Sequence, residues 1–241
     1  MRFSKRASRS ARTGKQIISL CMAVMCLGAV GCGNIATLKE EERNRNSTEI
    51  AGNETTEDLS NMSLASMQDA AKKDAYDAVV EMDIKDYGKI KLKLNAEAAP
   101  ITVANFIKLV NEGFYDGLTI NRVVPGFMIQ GGDPLGNGAG GSGTNIYGEF
   151  AANNYENPIS HKRGVISMAN NSADPNSASS QFFIMHQDAD YLDGNYAAFG
   201  EVIEGMDVVD KICDTVKAED DYGTVAPENQ PVITSAKIIN E

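Results

Sequence analysis

The amino-acid sequence predicts a mainly β protein: a closed eight-stranded antiparallel barrel capped by two α-helices. Two patterns carry that expectation. Eight short apolar stretches, at 78–84, 89–94, 119–124, 127–131, 164–169, 181–186, 197–202 and 231–239, are divided largely by glycine and Asn/Asp turns. Only two stretches, 99–113 and 204–213, carry apolar residues at helical spacing with any strength. Many strands with few helices favour a sheet that closes on itself, because closure removes the exposed edges.

Each element has its own signal. "AVVEMDI" (78–84) and "KIKLKL" (89–94) flank "KDYG", which marks a hairpin. Ile90, Leu92 and Leu94 alternate with Lys89, Lys91 and Lys93, so one face of that strand is buried and the other wet. The period then switches. In "APITVANFIKLVNEG" (99–113), Val103, Phe106, Ile107 and Val110 follow i, i+3, i+4, i+7 and lay one apolar stripe along a helix. Pro100 suits the first turn of that helix and Gly113 its C′ end. "EGMDVVDKIC" (204–213) predicts the second helix, with Val208, Val209 and Ile212 as its apolar residues.

The N-terminal third has a different character. Residues 1–16 carry six basic side chains and no acidic one, and an apolar run follows from Ile17 to Val30. A basic start, a short apolar run and small residues at its end describe an export signal, and the run is shorter than the ~18 residues of a spanning helix. "AVGC" (29–32) resembles the lipobox of bacterial lipoproteins, with Ala29 where leucine is usual. That resemblance implies cleavage before Cys32 and a lipid on its sulfur, so that residues 1–31 are the signal. From Asn34 to about Lys73 the chain is polar and free of aromatics, too poor in apolar surface to offset the entropy of ordering. We expect a flexible tether over 32–75, in which 62–72 has the option of a frayed helix, and a folded domain over 76–241.

Composition excludes several function classes. The formal charge of −11 becomes −17 once the six basic residues of 1–31 are removed, which argues against nucleic acid as a partner. Three of the four cysteines (Cys21, Cys26, Cys32) lie in the signal region, which leaves Cys213 alone in the body and no intradomain disulfide. Glycines 136, 138 and 141 spell G-x-G-x-x-G, but "GSGTNIYGEF" after them is loop and strand material rather than the helix a dinucleotide site needs. The only two histidines, His161 and His186, have no ligand-spaced partner for a metal and no recognisable nucleophile setting. No metal and no cofactor are expected.

What remains is a set of polar residues inside strand-like runs. "RVVPGFMIQGGDP" (122–134) places Arg122 and Gln130 among apolar neighbours, "GVISMAN" ends on Asn170, and "SQFFI" sets Gln181 before Phe182 and Phe183. With "APITVANF", "GFYDG" and "LDGNYAAFGEVIEGMDVVDKI", these motifs resemble, in matching order from about Ala78 to Ile239, the cyclophilin family of peptidyl-prolyl cis–trans isomerases. The resemblance implies an eight-stranded barrel with two capping helices, in agreement with the count above. It implies Arg122 as the principal catalytic residue, with Gln130 beside it. It further implies a proline pocket lined by Phe127, Met128 and Leu192 with Phe183 on its floor, Ala169 and Asn170 alongside the substrate backbone, and Gln181 on the far wall. Three positions depart from the family pattern. Ile120-Asn121 replaces a frequent Phe-His, Tyr191 replaces a frequent tryptophan, and Tyr196, which faces substrate in this reading, replaces a histidine. The partners implied are proline-containing unfolded or extended polypeptides and, through the lipid, a membrane. A cyclosporin-like ligand would bind weakly given Tyr191 and Tyr196, and the domain is expected to act as a monomer. A module that grips proline segments with little turnover is the competing reading, and the presence of Arg122 favours the enzyme.

Overall fold

The structure is a computed structural model that describes residues 63–239. The expected export signal, the expected lipidation site Cys32 and the expected tether up to residue 62 lie outside the described residues. Three helices and eight strands follow in the order α1 (Leu64–Ala71), β1 (Val79–Ile84), β2 (Gly88–Leu94), α2 (Pro100–Asn111), β3 (Thr119–Val124), β4 (Met128–Asp133), β5 (Val165–Met168), β6 (Phe182–Met185), β7 (Ala198–Glu204), α3 (Met206–Thr215) and β8 (Ile233–Ile239). The helix α1, which the sequence left optional, starts at Ser63, whose Oγ accepts the Ser66 amide at 3.2 Å. It buries no residue of its own. No described helix is long and apolar enough to cross a membrane.

All eight strands form one antiparallel sheet in the order β3-β4-β6-β5-β7-β2-β1-β8. The expected closure is not complete: β3 and β8 at the two ends share no continuous ladder, and the sheet is an open, curled half-barrel. Its seam is bridged by a few backbone bonds, Gly117 N–H to the Ile233 carbonyl at 2.8 Å, Ile233 N–H to Leu118 at 2.8 Å and Ile120 N–H to Pro231 at 2.9 Å. Pro231 has no amide hydrogen, so it accepts across the seam but cannot donate, and the ladder stops there.

Helix α2 shows how distant residues complete local structure. Its N-cap, Ala99, has no side chain able to hold the first amides. Glu149, fully buried and 48 residues beyond the first of them, accepts the Ile101 and Thr102 amides at 3.0 and 2.8 Å and the Thr102 hydroxyl at 2.8 Å. Burial pushes the Glu149 carboxyl up, and these bonds oppose that shift. At the other end Gly113, at φ +67°, is the C′ residue the sequence predicts. Its amide bonds the Val110 carbonyl at 3.0 Å and the Phe114 amide the Leu109 carbonyl at 2.9 Å, the paired bonds of a Schellman stop. The predicted stripe of Val103, Phe106, Ile107 and Val110 is buried against the inner face of the sheet.

Strand alternation then divides the buried residues in two. Ile129 of β4, Ile166 and Met168 of β5, Phe182 and Ile184 of β6 and Phe199 of β7 enter the main core with α2 and α3. The residues between them, Met128, Val165, Phe183, Met185 and Ala198, form a second cluster on the outer face.

Candidate functional site

The outer-face cluster is closed by parts from loops: Phe127, Ala189, Leu192 and Tyr196 complete it, and Val124, Ile159 and Ala169 pack at its edge. Leu192 ends a short 3-10 turn, Asp190–Leu192. Tyr196 sets its ring edge-on to Phe183, 5.4 Å between centroids at 90°. Tyr191 lies over Phe127, 6.1 Å away at 22°, and stays 54% exposed at the rim.

Arg122 adjoins this apolar floor. The Pro125-Gly126 break is the turn of a hairpin between β3 and β4, and its register sets Arg122 opposite Gln130. An irregularity in that ladder lies between Ile120 and Arg122. The guanidinium is held at two atoms: Nε donates to the Tyr222 carbonyl at 2.6 Å and Nη1 to Gln130 Oε1 at 3.2 Å. Gln130 Nε2 donates in turn to Gln181 Oε1 at 2.8 Å. Gln181 Nε2 donates to the carbonyls of Gly138 and Gly140 at 3.0 and 2.8 Å. The loop carrying those carbonyls is anchored by Asp133, whose carboxylate accepts the Leu135, Asn137 and Gly138 amides. The glycine-rich run therefore ends a relay of side chains that begins at Arg122. Burial pushes the phenols of Tyr191 and Tyr196 up, and the Arg122 charge opposes the shift at both, which locates the guanidinium near the two rings.

Arg122, Phe127, Met128, Gln130, Gln181, Phe183, Leu192 and Tyr196 thus come together in and around the outer-face cluster. Ala169 and Asn170 stand at its margin: the Ala169 amide bonds the Gln181 carbonyl at 2.9 Å, and Asn170 Nδ2 holds the Asn195 carbonyl at 3.0 Å. Asn121, beside Arg122, is buried with an Oδ1 that has no hydrogen-bonding partner.

Two contributors escaped the sequence reading. One is the carbonyl of Tyr222. The other is His161, fully buried under the pocket floor with its ring stacked on Phe183 at 6.0 Å and 15°. Its Nδ1 lies 2.7 Å from Asp193 Oδ1 and its Nε2 2.8 Å from Ser167 Oγ. That is the connectivity of a Ser-His-Asp triad, and no spacing among the three residues announces it. Ser167 is wholly buried, so its hydroxyl cannot reach a substrate. The arrangement ties the floor at Phe183 to the loop of Leu192 through Asp193. Burial drives the His161 imidazole down, against the pull of Asp193. Among the described residues no cluster of three His, Cys, Asp or Glu side chains could hold a metal.

The family model of the cyclophilin type peptidyl-prolyl cis-trans isomerase/CLD matches residues 79–238. The chain belongs to this family. Peptidyl-prolyl cis-trans isomerase B of Bacillus subtilis is 48% identical over 124 residues, covering 52% of this chain and 82% of the relative. A probable peptidyl-prolyl cis-trans isomerase of Brucella suis is 41% identical over 169 residues, 66% of this chain and 82% of its own. Among solved structures, a cyclophilin type isomerase of Cryptosporidium parvum superposes with a TM-score of 0.61 at 29% identity, covering 69% of this chain and 99% of that one. The same protein in the presence of the dipeptide Ala-Pro gives a TM-score of 0.60. This cyclophilin is a peptidyl-prolyl cis–trans isomerase, an enzyme that turns X–Pro bonds without breaking them.

Proposed function

We propose that the outer-face cluster is the site of isomerisation, with Arg122 as the principal catalytic residue acting together with Gln130 and Phe127. Met128, Phe183, Leu192 and Tyr196 hold the proline ring, Ala169 and Asn170 run alongside the peptide backbone, and Gln181 forms the far wall. Amide resonance sets a barrier of ~18–20 kcal/mol to X–Pro rotation, and the bond turns unaided in tens to hundreds of seconds. No nucleophile, metal or general base is required, only a surface that binds the twisted amide better than either planar form. At the twist the proline nitrogen pyramidalises and regains its lone pair. A guanidinium, charged at every working pH, donates a hydrogen bond to that nitrogen only there.

The observation carrying this reading is the orientation of Arg122, fixed at Nε by Tyr222 and at Nη1 by Gln130, beside an apolar floor. A protease-coupled assay on a short X–Pro peptide tests it. Arg122→Ala should lower kcat/KM by about 100-fold, the scale of one donor aimed at the transition state, while peptide affinity persists. Equal turnover in the variant would remove Arg122 from the mechanism.

In the same reading residues 1–31 direct export, Cys32 carries the lipid, and 32–75 tether the domain of 76–241 outside the cytoplasm. There it acts as a monomer on unfolded or extended proline-containing polypeptides and assists their folding. The basic start, the short apolar run and "AVGC" support this placement. Cells grown with radioactive palmitate should label the wild-type chain and not Cys32→Ser. Labelling of both would place the anchor elsewhere.

A further inference from the structure

Phe127 reaches the pocket from a tight turn, and the side chain that fixes the turn comes from the residue that follows β6. Val124-Pro125-Gly126-Phe127 is closed by the Phe127 amide on the Val124 carbonyl at 2.9 Å. Proline at its second position and Gly126 at its third, with φ +78°, make it a type II turn. The Gly126 amide donates to His186 Nδ1 at 2.8 Å. The backbone amide of His186 donates to the Phe127 carbonyl, also at 2.8 Å. One residue therefore clasps the turn at both 126 and 127.

The other edge of the ring faces α3. His186 Nε2 lies 3.2 Å from Asp210 Oδ1. Asp210 Oδ2 accepts from Arg163 Nη2 at 2.8 Å, and Arg163 Nη1 donates to the His186 carbonyl at 2.7 Å. These three residues close a ring of contacts that joins α3, the turn before β5 and the turn that carries Phe127. A backbone amide only donates, so Nδ1 must be the accepting nitrogen and the neutral ring must carry its proton on Nε2. A doubly protonated ring would turn a second N–H against the Gly126 amide and lose that bond.

We propose that His186, in its neutral Nε2–H form, is a positioning residue for the proline pocket, which holds the turn carrying Phe127 in the geometry that binds substrate. The charged groups facing the ring are Asp210 and Arg163, and behind them Asp188, which accepts the Arg163 amide at 2.9 Å. Arg163 holds the Asp210 carboxyl below its usual range, so the ring keeps a carboxylate facing Nε2. The inference rests on Phe127 lining the pocket, and Phe127→Ala is the control that separates the two.

The test is the steady-state kinetics of the full chain at neutral pH. His186→Ala should raise KM about fivefold with kcat unchanged, the scale of one lost hydrogen bond. His186→Asn, whose Oδ1 takes the Gly126 amide in place of Nδ1, should restore KM to within about twofold. Long-range proton–nitrogen spectra of the wild type should find the neutral-ring proton on Nε2, a result that stands even where the alanine variant fails to fold. An Nδ1–H ring, or equal KM in wild type and His186→Ala while Phe127→Ala raises it, would overturn the proposal. Unchanged KM in Phe127→Ala would overturn the pocket assignment and this inference with it.

Discussion

The two apolar clusters of this cyclophilin are built from alternate residues of the same strands, yet they differ in kind. The inner cluster holds aliphatic side chains and a set of rings, Phe106, Tyr115, Phe182 and Phe199, with centroids 5.0 to 6.1 Å apart. Its one phenol, on Tyr115, is satisfied by the Ser180 carbonyl at 3.1 Å. The outer cluster mixes Phe127, Phe183 and Leu192 with Arg122, Gln130, His161 and Ser167, and each of these polar groups has a hydrogen-bonding partner. The inner face answers to the hydrophobic effect and close packing alone. The outer face keeps a cation and two carboxamides beside apolar surface, which is tolerable only because each is hydrogen-bonded.

That contrast breaks most visibly under truncation of the inner face. Phe106 touches three other rings and is fully buried, so Phe106→Ala should cost about 3–5 kcal/mol of stability by transfer and cavity effects. Urea denaturation measures it, and kcat/KM per folded molecule should stay at the wild-type value. Arg122→Ala should show the reverse, an unchanged urea midpoint with the turnover loss given above. A Phe106 variant that remained stable, or one that lost turnover while folded, would dissolve the division between the two faces.

A smaller effect sharpens the comparison through pH. The folded state holds the His161 imidazole below its ordinary value because burial outweighs Asp193. The unfolded chain then binds more protons as pH falls below about 6.5, so the contribution is complete above that pH and is lost on acidification towards the folded value. Stability should fall by at most ~1.4 kcal/mol per pH unit from this group. His161→Gln should flatten the urea midpoint between about pH 7.5 and about pH 5.5, above the range where carboxylates dominate. An unaltered slope in the variant would mean that the triad-like contact under Phe183 does not couple to protonation.

Why the sequence was so much more informative about the inner face follows from the same physics. Periodicity reports which residues alternate, and it located every strand to within two or three residues: β3 at 119–124 as expected, β4 shifted from 127–131 to Met128–Asp133. It also found the α2 stripe and its Gly113 stop. It could not show that the sheet stays open, because that depends on where Pro231 meets β3 across the seam. Nor could it find His161, whose partners Asp193 and Ser167 lie 32 and 6 residues away with no spacing rule to connect them. The Tyr222 carbonyl that orients Arg122 is a backbone group, and any residue there would supply it. The pocket residues were legible only through their joint occurrence in family motifs. Singly, Phe127 or Leu192 is an ordinary apolar residue.

The smallest expected effect lies at the rim, where the two kinds of surface meet solvent. Tyr191 is largely exposed and touches the pocket only through its stack on Phe127. Because the ring does not contribute to the closed floor, Tyr191→Trp should leave stability unchanged and kcat/KM on a short peptide within about twofold, as expected of an exposed position. A larger, flatter ligand would sense the change. An indole offers more area than a phenol and an N–H donor, worth about 0.5–1.5 kcal/mol where the face is covered. Titration calorimetry with a cyclosporin-like macrocycle should therefore register tighter binding in Tyr191→Trp than in the wild type. Equal affinity would place the limit on such ligands deeper in the pocket, at Tyr196, whose buried ring is fixed against Phe183 and His161 and cannot be exchanged without disturbing the floor.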